Sequence, residues 1–328
     1  MRKVLSLVLA ALLGLGASAA RAETKLEVTH FPGGGTWPIL AALENGYFAT
    51  ADIAIHLDPI TGSVQQITGM MEGKYDLGMT AFDNVLAYDA GQAETKLAGE
   101  VDLVAFLGGE GGSLHLITAP EVKTIEGLKG KTLAVDAKST GYAFVLYRIA
   151  AMHGVAQGDY SVLAVGSSQK RLDALIQGQA AGTLLSKPFD AFAVAKGFND
   201  LVTMSKLFPH YQSTVGFTRR QWAKDHSEVL IAFIRAYVQG SLWLFDSNHK
   251  EGAIDLLMKS TPNLSRDQAE SIYRTTVGAD SVTSPMAALD PAGVKTVVAL
   301  RSEFGEPKKK LDASQFYDLS YYKAAISR

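Results

Sequence analysis

A unit repeated at a fixed offset constrains what this chain can fold into more than any other feature. Lys25–Val28 is a short apolar strand that enters the loop Gly33-Gly34-Gly35-Thr36 and then a helix opening near Pro38. Lys131–Val135 is a second such strand, entering Lys138-Ser139-Thr140-Gly141 and another helix. Downstream, Thr61-Gly62-Ser63 precedes the helical run Gln65–Glu72 and Gly73, while Gly166-Ser167-Ser168 precedes Gln169–Gln177 and Gly178. Gly62 and Ser167 stand 105 positions apart, and so do Gly73 and Gly178. Four small-polar turns, each at a strand end and each opening a helix, predict two facing α/β lobes rather than one continuous sheet.

The intervening pattern supports this. Strand-like runs are expected at Leu26–Thr29, Ile53–Leu57, Leu77–Thr80, Leu103–Leu107, Leu114–Ala119, Thr132–Val135, Ser161–Val165, Gly182–Leu185 and Ser213–Thr218. Helical periodicity falls between them, which predicts mainly parallel sheets flanked by crossover helices. After Thr218 the pattern turns helical: Arg219–Phe245, Lys250–Lys259, Arg266–Val277, Pro291–Phe304 and Gln315–Ile326. Ser265 with Gln268 forms a capping-box pattern ahead of one of these helices. The Gly-rich run Gly108-Gly109-Glu110-Gly111-Gly112 suits a chain crossing from one lobe to the other, with Ser213–Thr218 as the return. The expected division is therefore 1–22 as a leader, 23–110 as the first part of lobe one, 111–215 as lobe two, and 216–328 as the completion of lobe one with C-terminal helices. Two crossings make a hinge.

Met1–Ala22 has a basic start at Arg2 and Lys3, an apolar run over Val4–Leu15 and small residues at Ala20 and Ala22. That is the pattern of a secretory signal peptide cleaved after Ala22, and its apolar run is shorter than the roughly 20 residues a spanning helix needs. Removing it takes away three cations and no acid, so the formal charge moves from −2 to −5. This mild acidity offers no basic field for nucleic acid or anionic lipid. The chain has no cysteine. That excludes a disulfide scaffold, thiol catalysis, Cys-ligated zinc and a lipid-anchored cysteine after the leader, where Glu23 stands. A soluble, exported monomer is expected.

Several runs taken together resemble the periplasmic substrate-binding proteins of ABC importers, in the branch of sulfonate, taurine, nitrate and thiamine-precursor binders. In the first lobe these are Pro38–Phe48, Ile53–Leu57 and Gly73-Lys-Tyr-Asp76-Leu-Gly-Met-Thr80. In the second they are Gly127-Leu-Lys-Gly-Lys131-Thr-Leu-Ala-Val135, Leu175–Gly178 and Pro188-Phe-Asp-Ala, with Gly197. The similarity covers about residues 24–245. It implies a type II periplasmic-binding fold, a small organic solute as ligand and the membrane subunits of an ABC permease as partner. The chain departs from the pattern at Gln179-Ala-Ala181, where relatives often carry an acid. The branch also includes a fungal pyrimidine-forming enzyme that depends on a cysteine-rich segment, a route closed to a chain without cysteine.

Ligands in such sheets bind beyond the carboxyl ends of the strands, where the first amides of a helix are unpaired and partly positive. Ser139, Thr140 and Gly141 are the foremost candidates, two hydroxyls beside free amides, with Tyr142 as an aromatic wall. Their counterparts in the first lobe are Gly35, Thr36 and Trp37; Ser63 and Ser167 open the second pair of turns. The alternative role for Ser139 or Thr140 is to cap its own helix. Asp83 either caps the helix after Leu77–Thr80 or accepts from a ligand N–H, and Glu110 repeats that argument more faintly. Lys138 and Arg171 are expected to be solvated.

Catalytic patterns are missing. The seven histidines are scattered without metal spacing, and neither a G-x-S-x-G elbow nor a phosphate loop occurs. No metal, cofactor or catalytic residue is expected. Two alternatives remain: a secreted lyase or pyrimidine-precursor enzyme on the same scaffold, for which His30 with Asp83 is the one acid–base pair to assemble, and a sensor that presents its closed form to a membrane kinase.

Overall fold

Among the described residues ten strands form, and they divide into two five-stranded sheets. The computed structural model describes residues 23–97, 99–278 and 281–327; the signal-peptide assignment falls on 1–22, outside them. The first sheet contains β1 (Thr24–His30), β2 (Ile53–Pro59), β3 (Leu77–Ala81), β4 (Leu103–Leu107) and, from far along the chain, β10 (Thr214–Arg219), in the order β2-β1-β3-β10-β4. The second contains β5 (His115–Thr118), β6 (Thr132–Val135), β7 (Ser161–Ala164), β8 (Gly182–Leu185) and β9 (Asn199–Thr203), in the order β7-β6-β8-β5-β9. Two edge strands differ in burial. The apolar run of β4 is buried at every position, its edge covered by the C-terminal segment at Tyr317 and Asp318, whereas β7 is exposed or half-buried throughout.

The two sheets are built alike, and the resemblance explains the repeat. In each, three strands pair in parallel (β2-β1-β3 and β7-β6-β8). A fourth strand, β10 or β5, runs antiparallel between the third strand and an edge strand. Both sheets are thus mixed, with one reversed strand among four that share a direction. That reversed strand is reached by crossing between lobes: the chain leaves edge strand β4 to become β5 of the other sheet, and leaves edge strand β9 to return as β10. Strand β9 has no counterpart among the strands expected from sequence. Its polar start, Asn199-Asp200, lacks the apolar alternation of a strand, and its pairing with β5 at the sheet edge supplies the ladder instead.

The helices after β10 mostly complete the first lobe. The expected single stretch from Arg219 is broken at His226 into Arg220–Asp225 and Ser227–Phe245. Ser227–Phe245 is long and apolar enough to cross a membrane, yet half of it is buried inside this protein, with Leu230, Phe233, Ile234 and Tyr237 in the core below the first sheet. Gly240 lets it cross the helix Trp37–Glu44 closely, since a Cβ there would lie 2.2 Å from the Pro38 carbonyl oxygen. The capping box expected at Ser265 and Gln268 is present, with the Ser265 hydroxyl accepting from the Gln268 amide at 3.2 Å.

One C-terminal helix belongs to both lobes by contact. Pro291–Phe304 packs against Phe82–Asp89 of the first lobe and Gly141–Met152 of the second. Its last residue, Phe304, stacks on Phe144 with ring centroids 5.6 Å apart.

Candidate functional site

The carboxyl ends of the inner strands in the two sheets face each other across a cavity with about 100 Å³ of water-accessible space. A single water needs only ~10–15 Å³ measured in this way, so the cavity has room for a small organic molecule. The first lobe contributes the loop Phe31–Gly35 after β1, the end of β3 at Met79–Ala81, and Asn84. The second contributes Asp136 after β6, Thr140-Gly141-Tyr142 at one helix start, Ser167, Ser168 and Arg171 at another, and Ser186 after β8. The crossings add Glu110, Ser113, Ser213 and Thr214. This is the repeat seen in the sequence: strand ends and helix starts of both copies meet at one place, where unpaired helix amides and small hydroxyl residues gather.

The lobes touch along the rim. The Ser167 amide donates to the Thr61 carbonyl at 3.0 Å, and Ser63 Oγ donates to Asp136 Oδ2 at 2.8 Å. On another side the Gly34 amide donates to the Lys187 carbonyl at 3.3 Å, and the Lys138 amide donates to Glu94 Oε2 at 2.9 Å. The Tyr142 hydroxyl bonds Ser213 Oγ. The conformation is therefore closed, with the cavity walled by both lobes at once.

Three ionisable groups dominate the cavity. Burial pushes the Glu110 carboxyl up to about 7, with Asp190 adding to the rise and Lys187 opposing it. Ser113 Oγ donates to Glu110 Oε1. Burial likewise raises Asp136, against the pull of the Arg171 guanidinium and the Ser63 hydroxyl. Arg171 is only 4% exposed. Its Nη2 donates to Ser168 Oγ at 2.8 Å, and its Nε is buried without a partner among the described residues. The expectation of a solvated Arg171 is thus corrected: it lies on the inner face of the helix Ser168–Ile176, buried beside Leu172 and Leu175. Lys138 does remain exposed.

Of the residues singled out from sequence, Gly35, Thr140, Gly141, Tyr142 and Ser167 lie on the cavity wall. Thr36 turns away, its hydroxyl 2.9 Å from His30 Nδ1 and donating to the Phe31 carbonyl at 3.1 Å. Trp37 packs among Leu244, Ile254 and Leu257 and borders a smaller neighbouring cavity, because the helix it opens needs an apolar face against the C-terminal helices. Ser63 is occupied by Asp136. Ser139 presents its carbonyl to Arg301 Nη2 at 2.6 Å.

Asp83 is committed elsewhere. Arg301, from the helix Pro291–Phe304, grips both its carboxylate oxygens at 2.6 and 2.5 Å, and both side chains are essentially inaccessible. Gly141 presses against this pair, leaving no space for a Cβ, which would lie 2.5 Å from the Asp83 Cβ. Asp83 therefore does not border the cavity, and the pair His30–Asp83 is not assembled: His30 meets Thr36, and burial lowers its pKa. Among the described residues no group of three His, Cys, Asp or Glu is placed to hold a metal ion.

The partners that sequence reasoning missed are Arg301, 218 positions from Asp83, and Asp136. Neither carries a motif. The one signal available for Asp136 was its place straight after a strand of the second copy.

A protein-family model described as NMT1/THI5 like matches residues 35–250, about two thirds of the chain. The chain belongs to the NMT1/THI5-like family. Comparison with curated proteins returned no match. Among solved structures, the periplasmic nitrate-binding protein NrtA from Synechocystis PCC 6803 superposes with a TM-score of 0.79 at 11% identity, over 93% of this chain and 88% of that one. The alkanesulfonate-binding protein SsuA from Xanthomonas axonopodis pv. citri, bound to MOPS, gives 0.69 at 16%, over 87% and 93%. The periplasmic aliphatic sulphonate binding protein SsuA from Escherichia coli gives 0.66 at 17%, over 91% and 99%. This NMT1/THI5-like protein thus has the two-lobed type II periplasmic-binding fold.

Proposed function

We propose that this protein is an exported receptor that captures a small organic solute between its lobes and delivers it to the membrane subunits of an ABC importer. The observation that carries the reading is the closed cavity itself: one pocket, walled by both lobes and both crossings, lined by hydroxyls, helix-start amides and the charged groups Glu110, Asp136 and Arg171. A ligand there touches both lobes only when they are closed, so binding shifts the open–closed population by its differential affinity. The ligand-contacting residues in this reading are Gly35, Thr140, Gly141, Tyr142 and Ser167, with Glu110 and Arg171 added. The similarity to nitrate- and sulfonate-binding structures supports the receptor role. Binding without turnover fits the same geometry, since the candidate acid–base pair is not formed.

Two measurements test the proposal together. A ligand should raise the melting temperature by an amount that grows with RT ln(1 + [L]/Kd), and small-angle scattering should show a decrease in radius of gyration at the same concentration. Stabilisation with consumption of the ligand would instead favour an enzyme on this scaffold. Stabilisation without any change in scattering would count against closure.

A further inference from the structure

The ionisable groups of the cavity point to the class of ligand, an inference that rests on the receptor reading. Glu110, Asp136 and Arg171 come from three different segments: the first crossing, the turn after β6, and the helix Ser168–Ile176. Among the described residues no ion pair joins Arg171 to either acid. Asp136 is engaged by Ser63 at 2.8 Å across the rim. The guanidinium keeps a buried Nε with no partner among the described residues, beside the Ser167 and Ser168 start of its helix. A buried, unpartnered donor of this kind is costly unless something accepts from it. Glu110 is the complementary case, an acid whose one side-chain hydrogen-bond partner among the described residues is the donor Ser113.

We propose that the ligand is a small zwitterion: its anionic group accepts from Arg171 and the hydroxyls of Ser167 and Ser168, and its protonated nitrogen donates to Glu110. The lining holds two acids and one guanidinium. A bare anion would satisfy Arg171 but would bring no donor to Glu110, whereas a zwitterion satisfies both signs without adding net charge. The ammonium end also keeps Glu110 ionised, giving a charge-assisted bond inside a site of low polarity.

Matched pairs of probes test this by calorimetry on the mature protein: 3-aminopropanesulfonate against propanesulfonate, 4-aminobutyrate against butyrate, 4-(aminomethyl)benzoate against 4-methylbenzoate, and nitrate alone. The expected result is that in at least one pair the aminated member binds about tenfold or more tightly than its partner. In Glu110→Gln that preference should fall to about threefold or less, and Arg171→Met should abolish binding of both members. Equal or tighter binding of the desamino members or of nitrate overturns the zwitterion assignment. If those anions also close the protein in scattering, the receptor reading survives that failure. Binding by none of the seven probes also overturns the assignment, and mass spectrometry of any small molecule released on denaturing the purified protein then judges the receptor reading separately. The comparison within wild-type protein stands even if a variant folds poorly.

Discussion

Glu110 should make the ligand-free protein lose stability as pH rises, and one substitution isolates the effect. Its carboxyl moves from 4.5 to about 7 in the folded state, chiefly through burial. The folded protein therefore holds a proton that the unfolded chain releases at lower pH. Between about pH 4.5 and 7 the native state binds more protons, so stability falls with rising pH and the loss is complete above 7. At ~1.36 kcal/mol per unit, the total is about 3 kcal/mol. Glu110→Gln cannot ionise, and its amide oxygen still accepts from Ser113. Relative to wild type the variant should gain progressively from pH 5 to pH 8, reaching about 3 kcal/mol. Urea denaturation followed by tryptophan fluorescence at four pH values in that range reads this directly. The other ionisable groups facing Glu110 are Lys187, Asp190, Tyr142 and Tyr237, and they are common to both proteins, so the difference between the two curves removes them. Parallel curves, with a difference independent of pH, would refute the argument and place Glu110 in contact with water.

Other perturbations reach the frame around the site. Arg301→Met should destabilise by about 3–5 kcal/mol, because it leaves the buried Asp83 without its partner, while adding Asp83→Leu should recover most of the loss; denaturation of the single and double variants checks it, and additive losses would contradict the pairing. Gly240→Ala should cost about 1–3 kcal/mol or more by forcing the helix Ser227–Phe245 off Trp37–Glu44, measurable as a lower melting temperature. Ser63→Ala removes a bond that exists only across the closed rim, so it should weaken ligand binding by up to about tenfold with little change in ligand-free melting; an equal loss in both would mean that Ser63 serves the fold instead.

Much of the architecture could be read from local chemistry. Strand–turn–helix units such as Thr132–Val135 followed by Ser139-Thr140-Gly141 are written in consecutive residues: an apolar run, small turn residues, then helical periodicity. Because the unit occurs twice, the two lobes and the meeting of their turns followed, and with them Thr140, Gly141, Tyr142 and Ser167 on the cavity wall. The Ser265 cap was legible for the same reason, since donor and acceptor lie within one helical turn. Strand β9 was not, because Asn199-Asp200 becomes a strand only where β5 offers it an edge.

The fates of Asp83 and Arg171 were decided by tertiary structure alone. Asp83 stands at a strand end like a ligand residue, but a helix more than two hundred positions later brings Arg301 onto it. Arg171 reads as a surface cation in a polar helix, but the face it occupies turns inward and buries it in the cavity wall. Backbone preference and apolar periodicity act over a few residues, so sequence determined the elements and the two-lobed plan. The pairing of charges depends on distances between residues far apart in the chain, and only the packed lobes set those distances.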